Sequence, residues 1–118
     1  MKYLKIFSIL LCLSFCSFNN INASQKESPT IKKSGEKVVF LTGAAGFIGS
    51  NFLKYMFDKY PNYTFLILDA LTYAANLNNI PKYIRDSKRF YFYYGSVTNY
   101  PLVDRLMAVS DLVVHFAA

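Results

Sequence analysis

The feature that most constrains the fold of this 118-residue chain is T-G-A-A-G-F-I-G, residues 42–49, set between an apolar run and an amphipathic one. Upstream, Val38, Val39, Phe40 and Leu41 are apolar at successive positions, as in a parallel strand covered on both faces. Downstream, Ile48, Phe52, Leu53, Met56, Phe57 and Tyr60 recur at helical spacing until Pro61 stops the run. A chain that leaves a buried strand and enters a helix at once must turn sharply, and Gly43 permits that turn. Gly46 lacks a Cβ, so amides at the helix start can approach a ligand, and Gly49 lets the helix pack against the strand. Free N–H groups and the positive end of the helix dipole make that place an anion site. Three glycines can also mark nothing more than close helix–sheet packing. The strand before them, the helix after them and an acidic residue 20 positions beyond Gly49 point to the pyrophosphate of a dinucleotide.

That acidic residue is Asp69, which ends a second strand predicted over 63–68. A carboxylate there can accept hydrogen bonds from the adenosine ribose hydroxyls and repels a 2′-phosphate, which favours NAD over NADP. The alternative is that Asp69 caps the loop that follows it. Ser96 and Val97 fall just past a third strand, predicted over 89–94, beside the expected adenine pocket. Ala117 and Ala118 end a fourth strand, predicted over 112–116, where small side chains either leave room for the cofactor or serve ordinary packing. His115, inside that apolar strand, is expected to be a packed core histidine.

A helix is predicted over 77–85, and another begins after Thr98 or Asn99 with Pro101 in its first turn. Leu102, Val103, Leu106 and Met107 are its expected buried face. Strand and helix thus alternate β-α-β-α-β-α-β, which calls for right-handed crossovers. The fold class is α/β: the N-terminal half of a Rossmann-type parallel sheet with helices on both faces. The abundant Phe and Tyr, including Phe90 to Tyr94, are expected to fill strand faces rather than to stack on bases.

The net charge of +6 raises nucleic acid as a partner, but its distribution argues against one. Residues 1–37 hold six Lys against two Glu, whereas residues 38–118 hold seven basic and five acidic side chains with no basic stripe. The excess sits in an N-terminal segment with the layout of a secretory signal peptide over 1–23. Lys2 and Lys5 precede an apolar run, and Ala23 is a plausible cleavage position. A polar linker follows over 24–36. Both cysteines, Cys12 and Cys16, lie in that apolar run, so neither a disulfide framework nor a metal site is expected in the domain of residues 37–118.

The pieces TGAAGFIGSNF (42–52), KYPNY (59–63), LDALTYAANLNNI (68–80) and VVHFAA (113–118) resemble the extended short-chain dehydrogenase/reductase family. Within it they resemble the nucleotide-sugar 4,6-dehydratases, those acting on dTDP-glucose above all. The first and last pieces are shared with nucleotide-sugar epimerases, whereas LDALTYAANL is more specific to the dehydratases. The resemblance implies that Phe47 and Ile48 contact the pyrophosphate, that Asp69, Ala70, Leu71 and Thr72 surround the adenosine ribose, and that Ala117 and Ala118 line the nicotinamide side. Two departures stand out. Ser96 replaces the family's Asp, removing a charge-assisted bond to the adenine worth about 1.5 to 3 kcal/mol at most, and Ala75 replaces a Gly.

The family's catalytic Tyr-x-x-x-Lys pair and Thr-Asp-Glu residues have no counterpart in these 118 positions, so no catalytic residue is assigned and the chain by itself is expected to be inactive. The intact family takes a nucleotide sugar as substrate, loses water to give a 4-keto-6-deoxy sugar, and is homodimeric. Two other readings remain open: part of a nucleotide-sugar 4-epimerase, or a non-catalytic remnant. The signal-like segment suggests export or organelle targeting, while the resemblance suggests the cytoplasm. A fourth strand left without its neighbours is expected to reduce solubility or to pair with another chain.

Overall fold

The computed structural model describes residues 35–118; the signal-like segment and nearly all of the linker lie outside them. Strand β1 (Lys37–Thr42) leads through the glycine turn into helix α1 (Phe47–Lys59). Strand β2 (Tyr63–Asp69), a short 3-10 turn (Leu77–Asn79), helix α2 (Lys82–Arg85) and strand β3 (Phe90–Tyr94) follow. Helix α3 (Tyr100–Ala108) and strand β4 (Leu112–His115) complete the series. All strand pairs are parallel, in the order β3-β2-β1-β4. The chain runs outward from β1 to β3 and then returns to the other side of β1. The order therefore reverses between β1 and β4, and a crevice opens at the C-terminal ends of those strands.

Alternate strand residues face opposite sides, and each side is covered by helix. Val39, Leu41, Phe65, Ile67 and Phe90 pack with Leu53 and Phe57 of α1 and Ile84 of α2. Val38, Phe40, Leu66 and Leu68 pack with Leu106 of α3, with Leu102 and Val103 at its margin. The Rossmann-type α/β class expected from the sequence is the class observed, with helices on both faces.

The differences lie at element ends and edges. The helix predicted over 77–85 is divided, because Pro81 cannot donate a backbone hydrogen bond and stands as the N-cap of a new helix, α2. Asn99, rather than Thr98, caps α3, its side chain accepting from Leu102 N at 3.4 Å. Met107, placed by its spacing on the buried face of α3, is half exposed, and Ile48, in the first turn of α1, is 67% exposed. His115 is exposed and not a core residue: β4 pairs with β1 alone among the described strands, and the imidazole bonds the Thr42 hydroxyl.

The C-terminal end of α1 is closed by a residue with no obvious signal in the sequence. Arg89 donates to the carbonyls of Phe57, Tyr60 and Tyr63 at 2.9 to 3.2 Å, and its guanidinium lies 3.8 Å from the centre of the Phe57 ring. A cation here satisfies carbonyls that the helix leaves unpaired and complements the negative end of its dipole.

Candidate functional site

The crevice at the sheet's C-terminal edge is a cavity of about 260 Å³. Gly43 and Gly46 form one side, Asp69, Ala70 and Thr72 another, Ser96 and Val97 a third, and Ala117 and Ala118 the wall at the end of β4. Nine of the residues expected from the sequence are thereby brought together. Leu68, Tyr73, Ala74, Ala75, Gly95 and Phe116 complete the lining.

The three glycines do separate work, and the space around each distinguishes them. Gly43 has φ +71°, and a Cβ on it would lie 2.5 Å from the amide nitrogen of Ala117. A Cβ on Gly49 would lie 2.3 Å from the Gly43 carbonyl oxygen, so the first turn of α1 packs directly against the glycine turn. These two glycines are required by the fold. Gly46 is different: its φ is −76°, and beyond its neighbours a Cβ would meet only the Gly43 oxygen, at 3.4 Å. The protein's own packing does not demand glycine there, and the open space in front of it belongs to the cavity.

Gly46 is the N-cap of α1 and makes no side-chain capping bond. The amides of Phe47, Ile48 and Gly49 belong to the first turn, which has no acceptor within the helix. Negative charge is favoured at such an end. The Phe47 and Ile48 side chains are 80% and 67% exposed and do not line the cavity. Any contact these two residues make with an anion at the turn is therefore through the backbone.

Asp69 is buried, and both of its oxygens are engaged: Oδ2 accepts from Ala45 N and Oδ1 from Leu71 N, each at 2.8 Å. The capping alternative raised by the sequence is thus realised. It does not exclude the other, because a carboxylate has about four acceptor positions. Leu71 itself does not line the cavity. It has φ +49°, an unfavourable conformation for a branched side chain, and its amide bond to Asp69 helps hold it there.

The Ala45 carbonyl receives Asn76 N at 3.0 Å and Asn79 Nδ2 at 2.9 Å. The loop that carries Thr72 to Ala75 is therefore fastened at one end by Asp69 and at the other by the glycine turn. The two asparagines are not among the site residues expected from the sequence. Their signal is the N-L-N-N run, since short amide side chains readily bond nearby backbone. On the third side, the Ser96 hydroxyl accepts from Thr98 N at 3.2 Å and contacts Thr98 Oγ1 at 2.9 Å. Ser96 faces the cavity as a small neutral group.

The profile of the family described as GDP-mannose 4,6 dehydratase matches residues 40–118. The dTDP-glucose 4,6-dehydratase of Streptomyces antibioticus is 42% identical over 85 residues, covering 68% of this chain and 24% of that protein. The enzyme of the same name from Mycobacterium tuberculosis is 41% identical over 80 residues, covering 68% and 23%. Among solved structures, that of dTDP-glucose 4,6-dehydratase from Bacillus anthracis in complex with NAD is similar with a TM-score of 0.64 and 43% identity, covering 70% of this chain and 27% of that one. The chain spans about a quarter of the length of the curated relatives it matches.

Proposed function

This chain belongs to the GDP-mannose 4,6 dehydratase family, and from that premise we propose that its described residues are the NAD-binding portion of a dTDP-glucose 4,6-dehydratase-like enzyme. The observation that carries the reading is the placement of an uncapped helix start and a buried carboxylate on neighbouring sides of one cavity at the strand-order reversal. Gly46, a glycine that the fold itself does not need, fits a pyrophosphate drawn up against the turn.

In this reading Gly43, Gly46 and the amides of Phe47 and Ile48 receive the pyrophosphate, with Gly49 setting the helix at the required closeness. Asp69 accepts from the adenosine ribose, while Ala70, Leu71 and Thr72 shape its surroundings. The negative charge of Asp69 disfavours a 2′-phosphate. Ser96 and Val97 border the adenine, and Ala117 and Ala118 leave space on the nicotinamide side. When bound, NAD supplies a hydride acceptor that later returns the hydride; these residues bind and orient it.

For the whole enzyme, we infer that a nucleotide-linked glucose is the substrate, that a 4-keto-6-deoxy sugar is the product and that the working form is a homodimer. The similarity to dTDP-glucose 4,6-dehydratases, at more than 40% identity, favours dehydration over epimerisation. Binding is tested by calorimetric titration of the 118-residue chain with NAD and with NADP, its folding followed by circular dichroism. Saturable binding of NAD, tighter than that of NADP, is expected. A folded chain that takes up neither would refute the cofactor reading.

A further inference from the structure

Thr42 closes β1 immediately before the glycine turn and is buried, an unusual place for a hydroxyl unless it is paired. It is paired twice. The Ala117 amide donates to Thr42 Oγ1 at 3.4 Å, and Oγ1 lies 2.6 Å from Nδ1 of His115 on the neighbouring strand. The Thr42 oxygen has two acceptor positions and one proton, so it takes the Ala117 N–H and still shares one hydrogen bond with Nδ1, whose donor is set by the imidazole tautomer. The Phe116 amide also donates to the Thr42 carbonyl, at 3.0 Å. The end of β4 is therefore tied to the end of β1 through both the backbone and the side chain of one residue.

The tie falls where the cavity has least tolerance. Ala117 lines the cavity, and its amide nitrogen is the atom a Cβ on Gly43 would strike at 2.5 Å. The glycine turn and the β4 wall are thus in near contact, and a small shift of Ala117 changes the gap between them. Regular strand pairing ends at Thr42 and His115, so the side-chain bond extends the hold beyond the ladder to the wall itself.

We propose that Thr42 and His115 are positioning residues for the bound dinucleotide, setting the Ala117 peptide against the glycine turn through the Thr42 hydroxyl. The proposal rests on the NAD-binding reading for its ligand but not for its geometry. Neither side chain is assigned a contact with the cofactor. Their effect is on the wall they hold.

The test compares the 118-residue chain with Thr42→Val, which keeps the shape and loses the hydroxyl, Thr42→Ser, which keeps the hydroxyl, and His115→Leu. Amide hydrogen exchange at Ala117 is read without ligand, and NAD affinity by titration. Thr42→Val and His115→Leu are expected to speed exchange at Ala117 and to weaken NAD by about 3- to 10-fold, the range one net hydrogen bond supports. The double variant should be little worse than either single one, because both remove the same link. Thr42→Ser should restore both readouts, which a purely volumetric role for the threonine methyl would not allow. Unchanged Ala117 exchange in Thr42→Val overturns the proposal whatever NAD does, as does restored affinity without the hydroxyl. If the parent chain binds no NAD, the cofactor reading and the ligand role of this pair fall together, while Ala117 exchange still decides whether the pair holds the wall.

Discussion

Asp69 Oδ2 accepts the Ala45 amide at 2.8 Å, joining the end of β2 to the centre of the glycine turn through a buried charge-assisted bond. Its other oxygen holds Leu71 in a left-handed conformation, so one carboxylate shapes two sides of the cavity. Asp69→Asn leaves one acceptor oxygen for two donors and removes the charge. A stability loss of about 1–3 kcal/mol is expected by urea unfolding. In titrations the preference for NAD over NADP should shrink. An unchanged unfolding midpoint would show that the two backbone bonds are not significant to the fold.

The three glycines should separate under substitution by alanine. Gly43→Ala and Gly49→Ala drive a Cβ to within 2.5 Å of backbone atoms that cannot swing aside, and each should cost about 1–3 kcal/mol or more. Gly46→Ala meets no such obstacle and should cost about 1 kcal/mol or less as a helix cap, a fall in melting temperature of about 4–8 °C at most. Its NAD affinity should nevertheless fall clearly. Equal loss of stability in all three would mean that Gly46, too, serves only packing.

Arg89 offers a stability test remote from the cavity. Arg89→Met retains much of the stem but removes the donors to the Phe57 and Tyr60 carbonyls at the end of α1 and to the Tyr63 carbonyl at the start of β2, together with the contact with the Phe57 ring. Thermal or denaturant unfolding should show a loss of about 2–3 kcal/mol. NAD affinity measured well below the melting temperature should remain within a factor of two of the parent.

Asn79→Ala removes one of two bonds to the Ala45 carbonyl and should loosen the loop over 70–79. Faster hydrogen exchange at Asn76, whose amide shares that acceptor, and NAD binding weaker by about 3- to 10-fold are the expected results. Asn79→Asp should be no better, because a carboxylate presents no N–H to the carbonyl. Asn76 exchange unaffected in both variants would remove Asn79 from the site.

Much of this is legible in the sequence. The four strands, the glycine turn and Asp69 announce themselves because each follows from a local rule: apolar runs for covered strands, glycines where backbone turns or meets backbone, an acid at a strand end. Two departures share one cause. Spacing and strand membership put Met107 and His115 inside, yet spacing gives only the direction of a side chain and not whether another element stands there to cover it. Pro81 divides the predicted helix into two short helical pieces by a different cause, its missing N–H, which is itself readable in the sequence.

What the sequence by itself determined is the order of elements, the parallel α/β architecture and the residues gathered around a dinucleotide-type turn, since these depend on periodicity and backbone freedom within short stretches. Only the tertiary structure decided which glycine is surplus to packing, that Arg89 closes α1 from 29 to 32 residues away, and that Thr42 finds His115 and Ala117 across 73 and 75 positions. Those relations are long-range hydrogen bonds and contacts, satisfied by whichever groups the packed strands bring within about 3 Å. No local pattern encodes such a distance.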